Sequence, residues 1–228
     1  MKLSIIIPIY NEKDTILKIL KMVNDVKLIN NIQKEIIIID DFSTDGSRKI
    51  LNSLENKYKI LYYQENRGKG AALKTGFDKA TGDYVIVQDA DLEYDPDDYN
   101  KLLDPIIKNK TKVVYGSRFT GEHRNMLFWH WIGNKSLSLI TNVLYNTTLS
   151  DMETCYKLIK KDILNQINIK SNRFNFEPEI TAKILKLGYK IYEVPISYMG
   201  RGYNEGKKIG WKDGIIALYC LIKYRFWN

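Results

Sequence analysis

The feature that most restricts the fold of this chain is a repeated pattern in which a short apolar, β-branched run precedes a helical segment. The first run, residues 3–9, is typical of a strand buried on both faces. Further runs predict strands at residues 36–39, 60–63, 84–87 and 113–115. Helices are predicted over residues 12–26, after residues 43–47 and over residues 69–80. This alternation indicates an α/β fold with a mostly parallel central sheet and helices on both faces.

The first predicted helix shows the expected pattern most clearly. Asn11 can cap it, and one stripe of its surface is apolar: Ile16, Ile19, Leu20 and Val23.

The second half of the chain is less regular. Helices are predicted near residues 129–145 and 177–187, a strand near 190–194 and a final helix from about Trp211. No Pro-, Gly- or Ser-rich linker and no internal repeat interrupts the sequence. We therefore predict a single domain, 1–228, with a regular half at about 1–120, a less regular half at about 121–209 and a C-terminal amphipathic helix at about 210–228.

Composition excludes several classes of protein. Apolar residues make up 44% of the chain and charged residues 27%, which excludes disordered and low-complexity proteins. Cys155 and Cys220 stand alone, so we expect no disulfide framework and no zinc cluster, as in a reducing compartment. The N-terminus is interrupted too early for a signal peptide, and the longest apolar run, residues 215–222, is too short for a spanning helix. We expect a cytoplasmic protein that is soluble or peripheral.

A pair of carboxylates follows the predicted strand at 84–87. Alternate residues at a strand end point the same way, so Asp89 and Asp91 can meet one cation. Divalent ions such as Mg²⁺ or Mn²⁺ favour a few carboxylates together with substrate phosphate oxygens. Glu93 continues the spacing of two. The alternative is an acidic surface loop, because six acids lie between Asp89 and Asp98.

Two further strand ends carry candidate binding groups. An acid at Asp40 or Asp41 can accept a hydrogen bond from a nucleotide base or a ribose hydroxyl, and helix capping is the structural alternative. Residues 67–70 could cradle phosphate at the start of a helix. This Gly-rich segment fits neither the P-loop nor the dinucleotide-binding pattern, which disfavours those two chemistries.

Several segments together resemble glycosyltransferase family 2, the inverting enzymes of GT-A fold. They cover residues 7–12, 40–47, 66–70, 89–92 and 116–119, with further similarity at 150–157 and from 176 to 195. Within that family, the chain looks most like the branch that transfers sugars to dolichyl or polyprenyl phosphate. The resemblance implies a Rossmann-like nucleotide-binding half at about 1–120 and an acceptor half at about 121–209.

The resemblance also implies roles for individual residues. Those expected to bind the nucleotide-sugar are Pro8, Tyr10, Glu12, Asp40, Asp41, Gly68, Lys69, Asp89, Ala90 and Asp91. Those expected to hold Mg²⁺ or Mn²⁺ are Asp89, Asp91 and Glu93. The expected contacts for the acceptor phosphate are Arg118, Lys135 and Arg201. The expected catalytic residues are Asp91, Asp151 and Arg118, with Asp151 matching an acid that acts as base or orients the acceptor.

These residues predict a function together with its donor, its acceptor and its membrane partner. We expect metal-dependent, inverting transfer of a sugar from a UDP- or GDP-sugar to a polyprenyl phosphate. The chain carries a net charge of +8, and residues 200–228 hold six Lys or Arg against two acids. With its aromatic and apolar residues, this tail predicts peripheral binding to an anionic membrane surface on the cytoplasmic side, and a separate integral membrane partner is compatible with it.

Two alternatives remain open from the sequence. A family 2 enzyme could instead add a sugar to a saccharide hydroxyl in surface-polysaccharide assembly, for which Asp151 would be a true base. A basic nucleic-acid-binding module is disfavoured, because no nucleic-acid motif is present and the acids at the strand ends would repel phosphate.

Overall fold

A computed structural model of the chain describes residues 1–201 and 210–227, with the side chain of Trp211 outside that description. The described strands are β1 (Lys2–Ile9), β2 (Gln33–Asp40), β3 (Lys59–Tyr62), β4 (Tyr84–Val87), β5 (Val113–Ser117), β6 (Lys157–Lys160) and β7 (Tyr192–Pro195). They form one sheet in the order β3-β2-β1-β4-β6-β5-β7. β6 runs antiparallel to both of its neighbours, and every other pair is parallel. The predicted α/β class with a mostly parallel sheet is confirmed.

The helices connect the strands. The described helices are α1 (Ile16–Asp25), α2 (Ser47–Asn52), α3 (Lys69–Lys79), α4 (Tyr99–Ile107), α5 (Phe128–Tyr145), α6 (Lys161–Leu164), α7 (Phe176–Lys186) and α8 (Trp211–Phe226). The stripe predicted on α1 is buried in full. The Ile-rich runs of β1 and β2 lie in the centre of the core, because both of their faces are covered.

The predicted start of the first helix was wrong. α1 begins at Ile16, and Asn11 does not cap it. Asn11 has a positive φ of 55°, and its Oδ1 accepts a hydrogen bond from Thr44 N–H at 2.8 Å. The segment after β1 is therefore held to the segment after β2. Capping by Asp41 was also wrong for α2, which starts at Ser47 with Asp45 Oδ1 accepting from Ser47 N–H.

The sequence analysis missed three of the described helices and strands, namely α4, α6 and β6. α4 contains Pro105, and a proline inside a helix argues against one. β6 is four residues long and lies between β4 and β5. It joins the predicted second half of the chain to the centre of the sheet.

The sheet geometry determines where a site can form. β1 and β4 are neighbours, yet the chain leaves β1 towards β2 on one side and continues from β4 on the other. At such a switch point the connections diverge and leave a crevice beyond the carboxyl ends of the strands. The segments that meet there follow Ile9, Asp40 and Val87.

Candidate active site at the strand ends

Asp89 and Asp91 stand just beyond β4, at the switch point of the sheet. Asp91 Oδ1 accepts a hydrogen bond from Glu93 N–H at 3.1 Å. Burial, and after it the negative charges of Asp89 and Glu93, raise the pKa of the Asp91 carboxyl to about 7. The site therefore concentrates negative charge, which a bound cation would neutralise.

A buried glutamine, Gln88, fixes the backbone at Asp89 through a hydrogen bond. Gln88 is fully buried, and its Oε1 accepts hydrogen bonds from the hydroxyls of Tyr99 and Tyr156, each at 2.6 Å. Its Nε2 donates to the Asp89 carbonyl oxygen at 3.0 Å. With both ends of the amide engaged, the start of the acidic segment has a fixed position.

Lys69, at the start of α3, lies between two acids. Its Nζ is 3.0 Å from Asp89 Oδ2 and 3.0 Å from Glu177 Oε1. Burial lowers the pKa of the Lys69 ammonium, but the charges of Asp89 and Glu177 outweigh it and hold the pKa well above its usual range. Lys69 thus joins the end of β4 to the first turn of α7.

A second buried group of charges adjoins Glu177. Burial, and then the charge of Glu177, raise the pKa of Glu153 to about 8, while Lys157 and Arg118 oppose the shift. Glu153 Oε1 is buried with no hydrogen-bond partner in the described part of the chain. Lys157 is almost completely buried and donates to the Thr154 carbonyl oxygen.

The two acids at the end of β2 hold the surrounding chain. Asp40 is fully buried, and its Oδ2 lies 2.6 Å from Arg48. Asp41 accepts hydrogen bonds from the backbone N–H groups of Arg67 at 2.7 Å and Gly68 at 2.8 Å. Burial nevertheless raises the pKa of the Asp41 carboxyl. Both acids lie at the expected edge of the sheet, together with Pro8 and the exposed ring of Tyr10 after β1.

The Gly-rich start of α3 faces protein. A Cβ added to Gly70 would come within 2.3 Å of the Ser171 carbonyl oxygen, and one added to Gly68, whose φ is +90°, would meet Asn172 in the same way. Ala71 N–H donates to the Asn172 carbonyl oxygen at 3.2 Å. These glycines allow two stretches of chain to approach closely. Because these glycines contact the backbone of residues 171–173, the segment does not form the open phosphate cradle predicted from the sequence.

Arg118 and Asp151 form a buried ion pair. Arg118 Nε and Nη2 each lie 2.7 Å from a different oxygen of Asp151, and the Arg118 backbone N–H donates to the same carboxylate at 3.0 Å. Asp151 is 0% exposed and Arg118 is 8% exposed. In this arrangement the carboxylate orients Arg118, and it would need to leave the pair before it could act as a base.

The three basic residues expected at an acceptor phosphate fall into two places. Arg118 and Lys135 both lie over the ring of Phe119, at 5.7 Å and 4.2 Å from its centroid. Arg201 lies across the acidic segment, with its guanidinium 3.4 Å from Glu12 Oε2.

Tyr198 and Glu93 connect these two places. The Arg118 guanidinium is 5.3 Å from the centroid of the Tyr198 ring, and the Tyr198 hydroxyl donates to Glu93 Oε2 at 2.7 Å. Arg201 N–H donates to the other oxygen, Glu93 Oε1, at 2.7 Å. Acidic and basic groups thus form one continuous site.

The donor set at Asp89 and Asp91 fits a hard divalent cation, because two carboxylates meet where negative charge is already crowded. Within residues 1–201 and 210–227, no three His, Cys, Asp or Glu side chains form a complete metal cluster. Mg²⁺ commonly binds one or two carboxylates and takes its other ligands from water and substrate phosphates. Both oxygens of Glu93 already accept hydrogen bonds, so Asp89 and Asp91 are the better candidates.

Apolar side chains are exposed on α5 and α8. Phe128 and Trp129 at the start of α5 are 62% and 78% exposed, and Phe226 near the end of α8 is 65% exposed. The two helices pack together, with the Tyr145 hydroxyl donating to the Leu221 carbonyl oxygen. Neither these helices nor any other described one combines the length and apolar character needed to cross a bilayer. Of the predicted basic and apolar tail, residues 202–209 and 228 and the side chain of Trp211 lie outside the described residues.

Sequence reasoning missed Glu177 and Tyr198. Glu177 lies in the first turn of α7, where an acid usually needs no explanation beyond the helix dipole. Tyr198 reads as one more aromatic residue of the core. In both cases the signal is the tertiary neighbour, Lys69 or Glu93, which the sequence does not reveal.

Comparisons with known proteins place the chain among sequences of one family. A model of the family described as Glycosyl transferase family 2 matches residues 4–167. A UDP-N-acetylglucosamine--dolichyl-phosphate N-acetylglucosaminyltransferase of Methanococcus voltae is 31% identical over 246 residues, covering 96% of this chain and 94% of that protein. A dolichol-phosphate mannosyltransferase of Pyrococcus furiosus is 27% identical over 217 residues, covering 92% of this chain. The chain spans 60% of the length of that second protein.

Solved structures show the same fold. Glucosyl-3-phosphoglycerate synthase from Mycobacterium tuberculosis, crystallised with Mn²⁺ and UDP-glucose, has a TM-score of 0.77 at 14% identity, covering 100% of this chain and 80% of that one. A complex of that enzyme with Mg²⁺ and UDP has a TM-score of 0.75 at 15% identity, with 100% and 80% coverage. The shared architecture is the GT-A fold.

Proposed function

The chain belongs to glycosyltransferase family 2 and is a glycosyltransferase, and we propose that it transfers a sugar from a nucleotide-sugar to a polyprenyl phosphate with inversion, using a divalent metal ion at a membrane surface. The observation that carries the proposal is the continuity of the site. Carboxylates at Asp89 and Asp91 connect through Glu93 and Tyr198 to the cations Arg118 and Lys135. A donor diphosphate and an acceptor phosphate require these two kinds of group.

The donor side consists of the strand ends. Pro8 lies near the end of β1, with Tyr10 and Glu12 after the strand. Asp40 ends β2 and Asp41 follows it, so this edge of the sheet would bind the base and ribose. Asp89 and Asp91 would hold Mg²⁺ or Mn²⁺, which supplies positive charge against the growing charge of the leaving diphosphate. Ala90 would line the same crevice, and Gly68 would support it by donating its N–H to Asp41.

The acceptor side relies on cations. A phosphate monoester is already an anionic nucleophile, so its attack on the anomeric carbon depends on positioning more than on proton removal. Arg118 and Lys135 beside Phe119 would position that phosphate, with Arg201 contributing from the side of Glu12. Asp151 would hold Arg118 in orientation through their paired contacts.

The alternative acceptor, a saccharide hydroxyl, requires a general base within reach. Asp151 is the candidate from the sequence, and its complete burial against Arg118 favours the phosphate acceptor. The relatives point the same way, since two of them are named for transfer to dolichol or dolichyl phosphate.

We infer that the protein acts at the cytoplasmic face of a membrane, and lipid access supports the membrane part of this proposal. A polyprenyl chain stays in the bilayer, so its phosphate must be met where it emerges. The exposed aromatic start of α5 lies on the same helix as Lys135, and α8 adds exposed apolar residues among Lys223 and Arg225. Such a surface favours binding to anionic lipid, directly or beside an integral membrane partner.

The decisive experiment offers the purified protein vesicles that contain polyprenyl phosphate, with radiolabelled UDP-, GDP- and dTDP-sugars in turn. We expect one donor to transfer label to a lipid product in the organic phase, from which mild acid releases the labelled sugar. EDTA should abolish this transfer. Label that appears in added saccharide acceptors would support the alternative. Transfer that is undiminished in EDTA would contradict the metal role.

A further inference from the structure

Glu177 is a buried carboxylate of which only one oxygen has a partner in the described part of the chain. Its side chain is 7% exposed, and its Oε1 meets Lys69 at 3.0 Å. Its other oxygen, Oε2, is buried with no hydrogen-bond partner in the part of the chain that the structure describes. A half-satisfied buried carboxylate costs free energy of folding. The ion pair with Lys69 therefore indicates the role of Glu177.

The chain around Lys69 and Glu177 is held in close register. Gly68 and Gly70 flank Lys69 and pack directly on the backbone of residues 171–173, just before α7. Ala71 N–H donates to the carbonyl oxygen of Asn172. The distance between Lys69 and the first turn of α7 is therefore set by backbone contacts on both sides.

We propose that Glu177 is a positioning residue for the metal-binding carboxylate Asp89 and that it acts through Lys69. The ammonium lies between the two acids at equal distances of 3.0 Å. Because the Lys69 ammonium is shared with Glu177, it neutralises Asp89 only in part. Asp89 therefore keeps negative charge for a divalent ion. Without Glu177, the ammonium would pair with Asp89 alone and compete with the metal. The inference rests on the proposed metal-dependent function.

The test measures Mn²⁺ affinity directly, by electron paramagnetic resonance of free Mn²⁺ in the presence of UDP and, separately, of GDP. Residues that orient a metal ligand typically change metal affinity by 10- to 100-fold when altered. We expect Glu177→Gln to raise the Kd for Mn²⁺ by about tenfold or more. Glu177→Asp keeps the charge but draws it back from Lys69, and we expect a smaller rise in Kd. It also provides a second reading if the amide variant folds poorly.

Glu35→Gln is the matched control. Glu35 is also a partly buried carboxylate with several hydrogen bonds, but it lies near the amino end of β2, away from the strand ends that carry Asp89. We expect it to lower the melting temperature and leave Mn²⁺ affinity unchanged. A general loss of stability is thereby separated from a loss of positioning.

The Lys69→Met background tests the route of the effect. If Glu177 acts through the ammonium, Glu177→Gln should change the Kd by less than about twofold once Lys69 is absent. An equal effect in both backgrounds, or an unchanged Kd in folded Glu177→Gln, would overturn the inference alone. No saturable Mn²⁺ binding by the wild-type protein would overturn the proposed metal-dependent function as well.

Discussion

Asp41, Asp91 and Asp151 carry the same side chain in three different electrostatic settings. Asp41 is satisfied by two backbone N–H groups, and Asp151 by a guanidinium. Asp91 faces other acids, which with burial raise its pKa. Of the three, Asp91 is therefore the carboxylate whose negative charge is best neutralised by a bound cation.

Asp91→Asn should abolish transfer and leave the fold intact. Loss of a charged metal ligand removes several kcal/mol of charge stabilisation in the transition state, which lowers the rate by at least about a hundredfold. Turnover with Mn²⁺ and the melting temperature in EDTA check both parts. Asp97→Asn, which changes an exposed acid of the same segment, should retain activity. Full turnover in Asp91→Asn would remove this residue from the metal site.

Arg118→Ala should weaken the fold as well as the use of the acceptor. It leaves Asp151 buried without its cation, and breaking a buried pair in this way costs about 3–5 kcal/mol of unfolding free energy. The double variant Arg118→Ala/Asp151→Ala should lose less than the sum of the single variants. Urea unfolding measures all three. Additive losses would mean that the pair does not couple in solution.

The two faces of α8 have different surroundings at the scale of the element. Ala217, Cys220, Leu221 and Tyr224 are buried, largely against α5 and α7. Ile215, Ile216, Tyr219, Ile222 and Phe226 are exposed. The helix therefore packs as part of the fold and still presents an apolar surface, so its packing on α5 and α7 is compatible with the predicted membrane contact.

Replacing Ile215 and Phe226 by Ser should reduce flotation on anionic vesicles and change the melting temperature little, because both side chains are exposed. Leu221→Ala should do the opposite. It removes a fully buried side chain, which costs about 2–5 kcal/mol, and leaves the exposed face intact. Unchanged flotation of the double Ser variant at low salt would show that this face does not bind lipid.

Elements with strong periodicity could be predicted from the sequence, and those defined by tertiary contacts could not. The stripe on α1 needs no knowledge of its neighbours. Asn11 was predicted to cap the first helix because that helix is close in sequence. Its hydrogen-bond partner, Thr44, is remote in sequence. The pair Asp89 and Asp91 was found because a strand end fixes its direction. The burial of Asp151 could not be predicted, since Arg118 approaches it across the fold.

Buried acids affect the whole molecule through its pH dependence. Asp91 and Glu153, with pKa values of about 7 and about 8, hold protons in the folded chain that they release at lower pH when unfolded. The folded state binds more protons between about pH 5 and 8, so unfolding free energy falls as pH rises through this window. The groups that face Glu153 are Glu177, Lys157, Arg118 and Asp151.

We therefore expect the metal-free protein to lose stability from pH 5 to pH 8, by up to about 1.4 kcal/mol per pH unit for each retained proton. Glu153→Gln should flatten this slope, because the amide does not titrate. Thermal or urea unfolding in EDTA across the range gives the measurement. A parallel slope in the variant would mean that Glu153 ionises normally.

The antiparallel strand β6 has a consequence for synthesis on the ribosome. β5 ends at Ser117, yet its neighbours in the sheet are residues 157–160 and 192–195. Until those residues emerge, β5 has neither partner, and the free edge of β4 stays open to other chains. The sheet is completed late, through contacts far apart in sequence, and such contacts slow folding. A nascent chain stalled near residue 120 should therefore need a chaperone more than the finished enzyme does.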